Sequence, residues 1–401
     1  MQFPGHPQLG HLTYCTNIHA GADWPDMIAG LRAWVPSIKA SVSPNDRFGL
    51  GLRIAASAAE TLRTDEAFNE LQTFLAETNG YVFTINGFPY GPFHGEPVKE
   101  QVYAPDWRTP ERLAYTNTLA DLLVKILPDG IDGSISTVPG SFKAWSHGNE
   151  AAIADGLLRH VAHLIDLKRA SGRTIRLALE PEPCCMLETI AETVAFFETF
   201  LFSHTATATV AQATGTTTAE AEAAIRNHLG VCYDVCHAAV EYEDPKQSVA
   251  DLKSAGIRIP KLQLSSALRI ATVDAATSAA LAPFNEPVYL HQVIARDPRR
   301  AGAPLQRFVD LPDALSQADA FEGQEWRVHF HVPIFIPQLE AFDTTQFFLS
   351  EILELHRKAP ISDHLEVETY TWDVLPDTYR ETDVGGAIAR ELEWVKGKLL
   401  A

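Results

Sequence analysis

The feature that most constrains this chain is a repeated alternation of short, β-rich apolar runs with longer amphipathic stretches. The runs lie at residues 11–17, 48–54, 81–87, 133–138, 175–180, 230–235, 260–264 and 364–370. Between them, apolar residues recur at helical spacing over 24–42, 110–127, 151–170, 189–202, 245–254 and 344–358, and 384–400 closes the series. Strand-then-helix repetition predicts parallel strands joined by right-handed crossovers. Eight such units predict a closed (β/α)8 TIM barrel, an α/β fold, in preference to an open doubly wound sheet. A barrel needs ~250 residues. A chain of 401 residues, 46% of them hydrophobic, therefore has room for insertions within one domain spanning 1–401.

Two segments break the rhythm. Residues 203–228 are rich in Thr and Ala; they read as an extension of the fifth helix, a turn near Gly215 and a second helix over 218–227. Residues 267–337 hold two alternating runs, 288–296 and 306–311, joined by 297–304, which read as a β-hairpin. A ninth strand-like run follows at 326–336. This places a β-hairpin insertion after strand 7, where it shapes a lid or pocket wall.

Charge narrows the partners. Lys and Arg total 32 against 51 Asp and Glu, a formal net charge of −19. That field repels phosphate backbones and anionic lipid, so neither nucleic acid nor a membrane surface is an expected partner. No apolar run approaches the ~18 residues of a membrane helix, which argues against membrane insertion. Residues 1–10 lack a basic head followed by an apolar run, so a cytoplasmic location is expected. Five cysteines, Cys15, Cys184, Cys185, Cys232 and Cys236, are an odd and sparse set that suits a reducing compartment and reads as small core or pocket-wall residues.

In barrels of this kind chemistry sits at the C-terminal ends of the strands. The fifth run ends in Glu180-Pro181-Glu182, the sixth in Asp234-Val235-Cys236-His237, the seventh in Gln263-Leu264-Ser265, and the last in Glu366-Val367-Glu368-Thr369-Tyr370. Glu180, Asp234, Gln263 and Glu368 thus converge on the barrel axis. Hard oxygen ligands favour a divalent cation, and three carboxylates in a dry mouth repel strongly without one. Glu366 shares the inward face with Glu368 and competes with it as a ligand. Two cysteines with three residues between them do not match haem attachment, which wants two, and zinc through Cys232, Cys236 and His237 lacks a further sulfur ligand.

The ordered series Glu, Asp-x-x-His, Gln and a final Glu before a small residue and an aromatic resembles the metal signature of the xylose isomerase-like TIM barrel superfamily. That superfamily contains sugar isomerases, epimerases and endonuclease IV. Gln263 is similar to the hydroxypyruvate isomerase-like branch, where Gln replaces the commoner His. The runs Thr13-Tyr14-Cys15-Thr16-Asn17-Ile18-His19, Asn86-Gly87-Phe88-Pro89-Tyr90-Gly91 and Cys232-Tyr233-Asp234-Val235-Cys236-His237 most resemble the EboE group of metabolite traffic proteins. The resemblance implies one divalent metal ion, Mg, Mn or Zn, held by Glu180, Asp234, Gln263 and Glu368. It implies Glu180 and Glu368 as the catalytic acid/base pair of an isomerase or epimerase acting on a small sugar-like or hydroxy-carbonyl substrate, and His237 as a group that holds a substrate hydroxyl. A bond from His237 to a backbone carbonyl is the alternative. Barrels of this kind often pair, so a homodimer is a further expectation, with no segment marking its interface.

Asn17, His19, Arg53 and Asn86 lie near the ends of early strands, in reach of substrate hydroxyls. His329 and His331 alternate on the ninth run and point to one face, for a second metal or for substrate. No His closes the second run and Gln263 stands in the seventh, so a three-zinc cluster is not expected. Besides the isomerase, two functions stay open: metal-assisted hydrolysis, and a non-catalytic barrel that binds and hands on a metabolite.

Overall fold

The computed structural model describes residues 1–95, 97–376, 379–380 and 383–401. Its strands are β1 (His11–Tyr14), β2 (Phe48–Arg53), β3 (Gly80–Asn86), β4 (Gly133–Thr137), β5 (Ile175–Leu179), β6 (Leu229–Asp234), β7 (Arg258–Leu264), β8 (Leu268–Ile270), β9 (Val293–Arg296), β10 (Gln306–Phe308), β11 (Glu325–Val328), β12 (Asp343–Thr344) and β13 (His364–Val367). Eight of them form one parallel sheet in the order β1-β13-β7-β6-β5-β4-β3-β2. The β1/β2 seam carries a single backbone bridge, Cys15 to Gly51. Side chains complete it. Gly51 N–H donates to the Thr13 hydroxyl at 3.0 Å, that hydroxyl donates to Gly49 O at 2.9 Å, and Arg53 N–H donates to the Thr16 hydroxyl at 2.8 Å. Each replaces a ladder bond the backbone does not make.

Helices alternate with the strands as the apolar period predicts. Beyond the expected set, Ala56–Thr61 and Asp65–Glu77 cross from β2 to β3. The segment after the fifth strand departs from expectation. Ile190–Phe196 is α-helical, Phe197–Leu201 winds as a π-helix, and the Ser203 hydroxyl accepts from Ala206 N–H to start a new helix, His204–Thr214. The fifth helix is therefore not extended; a cap residue interrupts it. Gly215 closes that new helix at φ 64°, a left-handed position that favours glycine, and Thr217 with Glu220 forms a capping box for Thr218–His228.

The expected hairpin is present: β9 and β10 pair antiparallel. It forms part of a five-stranded antiparallel sheet, ordered β10-β9-β11-β8-β12, that reaches past residue 337 to β12. Only Glu325–Val328 of the ninth run is strand. Residues 329–332 leave the sheet and return to the barrel, where Val332 N–H donates to Ser266 O at 2.9 Å. Arg307 ties the insertion to the barrel loops, lying 2.5 Å from Glu241 Oε2 and 3.5 Å from Glu188 Oε1. One continuous apolar core takes in barrel residues such as Leu177 and Val231 and insertion residues such as Phe284 and Trp326.

The C-terminal helix Val384–Leu400 carries a buried acid, Glu391. Its Oε1 accepts from the Thr369 hydroxyl at 2.6 Å and from Ile334 N–H at 3.1 Å, joining helix, strand end and insertion. Burial pushes its pKa from 4.5 to about 7. A raised folded pKa contributes stability that is fully present below 4.5 and lost as pH rises through about 7. Glu391→Gln should flatten that decline, by at most about 1.4 kcal/mol per pH unit for one proton. Urea unfolding of both proteins across this window is the check; parallel curves would contradict the assignment.

Candidate metal centre and its cavity

The barrel interior is polar where such barrels usually hold Val, Ile and Leu. Thr13, Thr84, Ser134, Ser136, Lys261, Gln263 and Glu366 are all fully buried. Lys261 Nζ lies 2.5 Å from Glu366 Oε2 and donates to Ser136 Oγ at 3.2 Å. Burial works against the Lys261 charge, but Glu366 outweighs it and holds the ammonium above its ordinary range. A Cβ at position 51 would meet Glu366 Oε1 at 1.8 Å, so glycine there makes room for this pair. The rivalry between the two last-strand glutamates is thereby explained in space: Glu366 faces Lys261 inside the barrel, and Glu368 faces the cavity at its mouth.

The strand ends set the cavity floor. Glu180 N–H donates to Thr137 O at 3.1 Å and Glu368 N–H to Leu264 O at 3.1 Å, so each glutamate makes the last ladder bond of its strand. Pro181 then stops further pairing. Asp234 ends β6 and caps the helix Val235–Val240: its Oδ1 accepts from His237 N–H at 3.0 Å and from the Ser265 hydroxyl at 2.7 Å. Carboxylate oxygens of Glu180, Asp234 and Glu368 all lie within 4.8 Å of one another. Glu180 Oε2 and Asp234 Oδ2 are buried without a hydrogen-bond partner. Glu368 Oε1 accepts from the side-chain amides of Asn17 at 2.6 Å and Asn86 at 3.2 Å. Burial, then the neighbouring acids, raise the pKa of Glu180 and of Glu368, and burial raises that of Asp234. A divalent cation relieves this arrangement, and its donors are hard oxygens with unused lone pairs. Gln263 lies beside Glu368, with its Nε2 lacking a geometric partner. Its amide can serve as an oxygen ligand or as a donor to Glu368.

A second cluster adjoins the first. His237 and His329 Nε2 are 3.1 Å apart, and His329 and His331 Nε2 are 3.2 Å apart. Each Nδ1 faces a carbonyl oxygen: Pro181 O at 2.9 Å, Gln292 Oε1 at 2.7 Å and Glu368 O at 2.9 Å respectively. Gln292 is oriented by its own nitrogen, which donates to Tyr103 Oη, Glu182 Oε1 and Pro183 O. A carbonyl accepts only, so each Nδ1 carries the hydrogen and each Nε2 a lone pair. Burial keeps all three rings neutral, lowering His237 to about 3, His331 to about 4 and His329 well below its ordinary range. The lone pair of His329 Nε2 thus meets that of His237 on one side and that of His331 on the other, and each such pair repels unless a cation lies between. Tetrahedral zinc at ~2.0–2.1 Å from nitrogen sets its ligand nitrogens roughly 3.3 Å apart, which these separations match. Asp234 Oδ2, 3.9 Å from His237 Nε2, stands between the two clusters.

Sequence reasoning thus meets the structure unevenly. Glu180, Asp234, Glu368, Asn17, Asn86, His237 and His331 are brought together at the mouth, with Gln263 buried beside Glu368. His19 is not: it bonds Tyr14 Oη at 3.0 Å and stacks on Trp34. Nor is Arg53, whose guanidinium donates to Gly21 O at 2.8 Å and to Gly91 O, clamping two loops. Three residues beside the two clusters carry no role in the sequence reading: Glu182, Gln292 and Tyr103. Glu182, two residues past Glu180, is buried, accepts from Tyr103 Oη at 2.7 Å, and has its pKa raised by burial to about 8. Gln292 and Tyr103 orient the clusters from the insertion and from the loop after β3. Cys236, unlike Cys232, falls within a group with His329 and His331 that can hold a metal. The cavity opens to solvent at its mouth and is lined by Asn17, Asn86, Glu180, Glu182, His237, His329 and Glu368 at its polar end.

No family model matches the chain, and no curated protein is similar to it in sequence. Solved structures are similar in fold. A xylose isomerase-like TIM barrel protein from Mycobacterium smegmatis, in complex with magnesium, superposes with a TM-score of 0.50 at 13% identity, covering 98% of this chain and 97% of the other. The IOLI protein with a bound zinc atom gives 0.47 at 12% identity, covering 97% and 98%. The probable 3-DHS dehydratase AsbF from Bacillus anthracis gives 0.43 at 12% identity, covering 96% and 97%. This chain shares the (β/α)8 TIM-barrel fold of the first of these, with an antiparallel sheet inserted after the seventh barrel strand. Among the described residues, no helix is long and apolar enough to cross a membrane.

The buried Lys261–Glu366 pair beneath the floor gives a direct test of the interior. Lys261→Met leaves Glu366 buried without its partner and should cost about 3–5 kcal/mol, whereas Lys261→Met/Glu366→Leu should recover most of that loss. Chemical denaturation of the three proteins reads it. A single mutant as stable as wild type would contradict the pair.

Proposed function

We propose that this chain is a divalent-metal-dependent enzyme that moves protons on a small hydroxy-carbonyl or sugar-like substrate, as an isomerase or epimerase. The observation that carries the reading is the floor of the cavity, where Glu180, Asp234 and Glu368 crowd their carboxylates with two oxygens unpartnered. Glu180, Asp234, Glu368 and the Gln263 amide would hold the ion, Mg, Mn or Zn. Bound there, the metal supplies polarisation of a hydroxyl–carbonyl pair and compensation of the negative charge that proton removal creates.

The protein's own groups divide the remaining work. Glu180 Oε2, free of hydrogen bonds, is placed to take a proton from a carbon next to the carbonyl. Glu368, pinned by Asn17 and Asn86, is held as the opposing group that returns a proton. His237 lines the cavity beside this floor, and its Nε2 lone pair, next to His329, would accept from a substrate hydroxyl. The loop after β3 and the insertion wall the space above this floor. The runs that resemble the EboE group become, on this reading, strand-end and loop segments of one site. The small-molecule substrate is then the partner.

A second reading, metal-assisted hydrolysis, is favoured by one observation: the converging Nε2 atoms of His237, His329 and His331, which suit zinc beside the carboxylate site. Glu180→Gln and Glu368→Gln should each lower turnover of a hydroxy-carbonyl substrate by a hundredfold or more while leaving the circular dichroism spectrum and melting curve intact. Near-normal turnover in either variant would remove the acid/base pair. His329→Ala should spare isomerisation on the first reading and abolish hydrolysis on the second, so assaying both reactions separates them.

A further inference from the structure

The cavity has two chemically unlike ends. Its floor is polar and acidic. Above the floor the wall is built by Phe88, Phe93, Val98, Val102, Leu290 and Tyr370, drawn from the loop after β3, the insertion and the segment after β13. Phe93, Tyr289 and Tyr370 pack edge and tilt with centroids 5.0–5.1 Å apart, which fixes the three segments against one another. The polar tips of two wall tyrosines are already used: Tyr289 Oη bonds His94 Nδ1 at 2.7 Å, and Tyr103 Oη donates to Glu182 at 2.7 Å. Neither has a proton left to donate to a ligand.

Anion recognition is missing in the same place. Among the described lining residues, Lys99 is the one Lys or Arg. Its ammonium is spent on Asp310 Oδ2 at 2.6 Å, Tyr289 O at 2.7 Å and Glu286 O at 3.4 Å. Along this wall, away from the floor, a phosphate or carboxylate would lose its water and find no free Lys or Arg among the described lining residues. An apolar group would instead exchange water for aromatic and aliphatic surface, a gain proportional to the area buried.

From this wall we infer that the substrate joins its hydroxy-carbonyl group to an uncharged apolar substituent, aryl or branched alkyl, and bears no phosphate or carboxylate. The inference rests on the reading of the floor as the hydroxy-carbonyl site. The polar head meets the strand-end carboxylates, and the apolar part lies between Phe88 and Leu290 toward the mouth.

The test uses three α-hydroxyketones that lack stereocentres: hydroxyacetone, 2-hydroxyacetophenone and dihydroxyacetone phosphate. Their affinities for the manganese-loaded full-length protein are read by calorimetry. The inference predicts that 2-hydroxyacetophenone binds at least tenfold more tightly than hydroxyacetone and that the phosphate ester does not bind measurably. Leu290→Asp should bring the aryl-to-methyl ratio toward one, with Val98→Asn as the second variant should the first fail to fold. Equal affinities, or tightest binding by the phosphate ester, would overturn the substrate class while leaving the floor as a hydroxy-carbonyl site. Retained manganese with no binding of any of the three would instead overturn the floor reading and the inference with it.

Discussion

Three carboxylates held within 4.8 Å of one another, out of water, are the constraint on which the rest of this structure depends. Like charges at that distance in a low-dielectric site cost far more than they do at a surface. The barrel accepts the cost because each group is locked by its own strand end: Glu180 by the last bond to β4, Asp234 by the helix it caps, Glu368 by two asparagine amides. Lys261 lies one layer below, and its charge favours the ionised forms of Glu180 and Glu368. The buried cation is itself balanced by Glu366, so the interior is a column of charge in which each layer answers the next.

The insertion completes what the barrel begins. It delivers His329 and His331 from the segment where the chain leaves β11, and it supplies Gln292 to fix the ring of His329. Two clusters then share Asp234 as their boundary, one of oxygen donors and one of imidazole nitrogens. The preference of hard cations for the first and of zinc for the second follows from ligand type alone. The same insertion, with the loop after β3, turns the space above an acidic floor into an apolar chamber. Position and polarity of the cavity therefore come from different parts of the chain.

Much of this was legible in the residues. Apolar runs of strand length alternating with helical periods carry the barrel, and the carboxylates that close strands β5, β6 and β13 announce themselves by the polar break after each run. The two-residue period also puts Lys261 with Gln263 and Glu366 with Glu368 on one inward face, a signal for the buried pair that spacing alone leaves unresolved. Other placements depend on contacts that no local pattern records. His19 follows the 3-10 turn Thr16–Ile18, which sends Asn17 inward and His19 out to Trp34. Arg53 sits at a strand end yet is consumed by loop carbonyls. Glu182, Tyr103 and Gln292 meet only because three separate segments fold over the same mouth, and a helix-capping serine, Ser203, cut a helix that composition alone ran on.

The central claim is that the strand-end carboxylates bind a divalent ion. Elemental analysis of the purified protein beside its Glu180→Ala/Asp234→Ala variant, each first stripped with chelator and then equilibrated with manganese, tests it most directly. The account predicts manganese retained by the wild type at the carboxylate floor and lost from the variant, with both proteins folded. A wild type that retains no ion, or a variant that retains as much as the wild type, would contradict it.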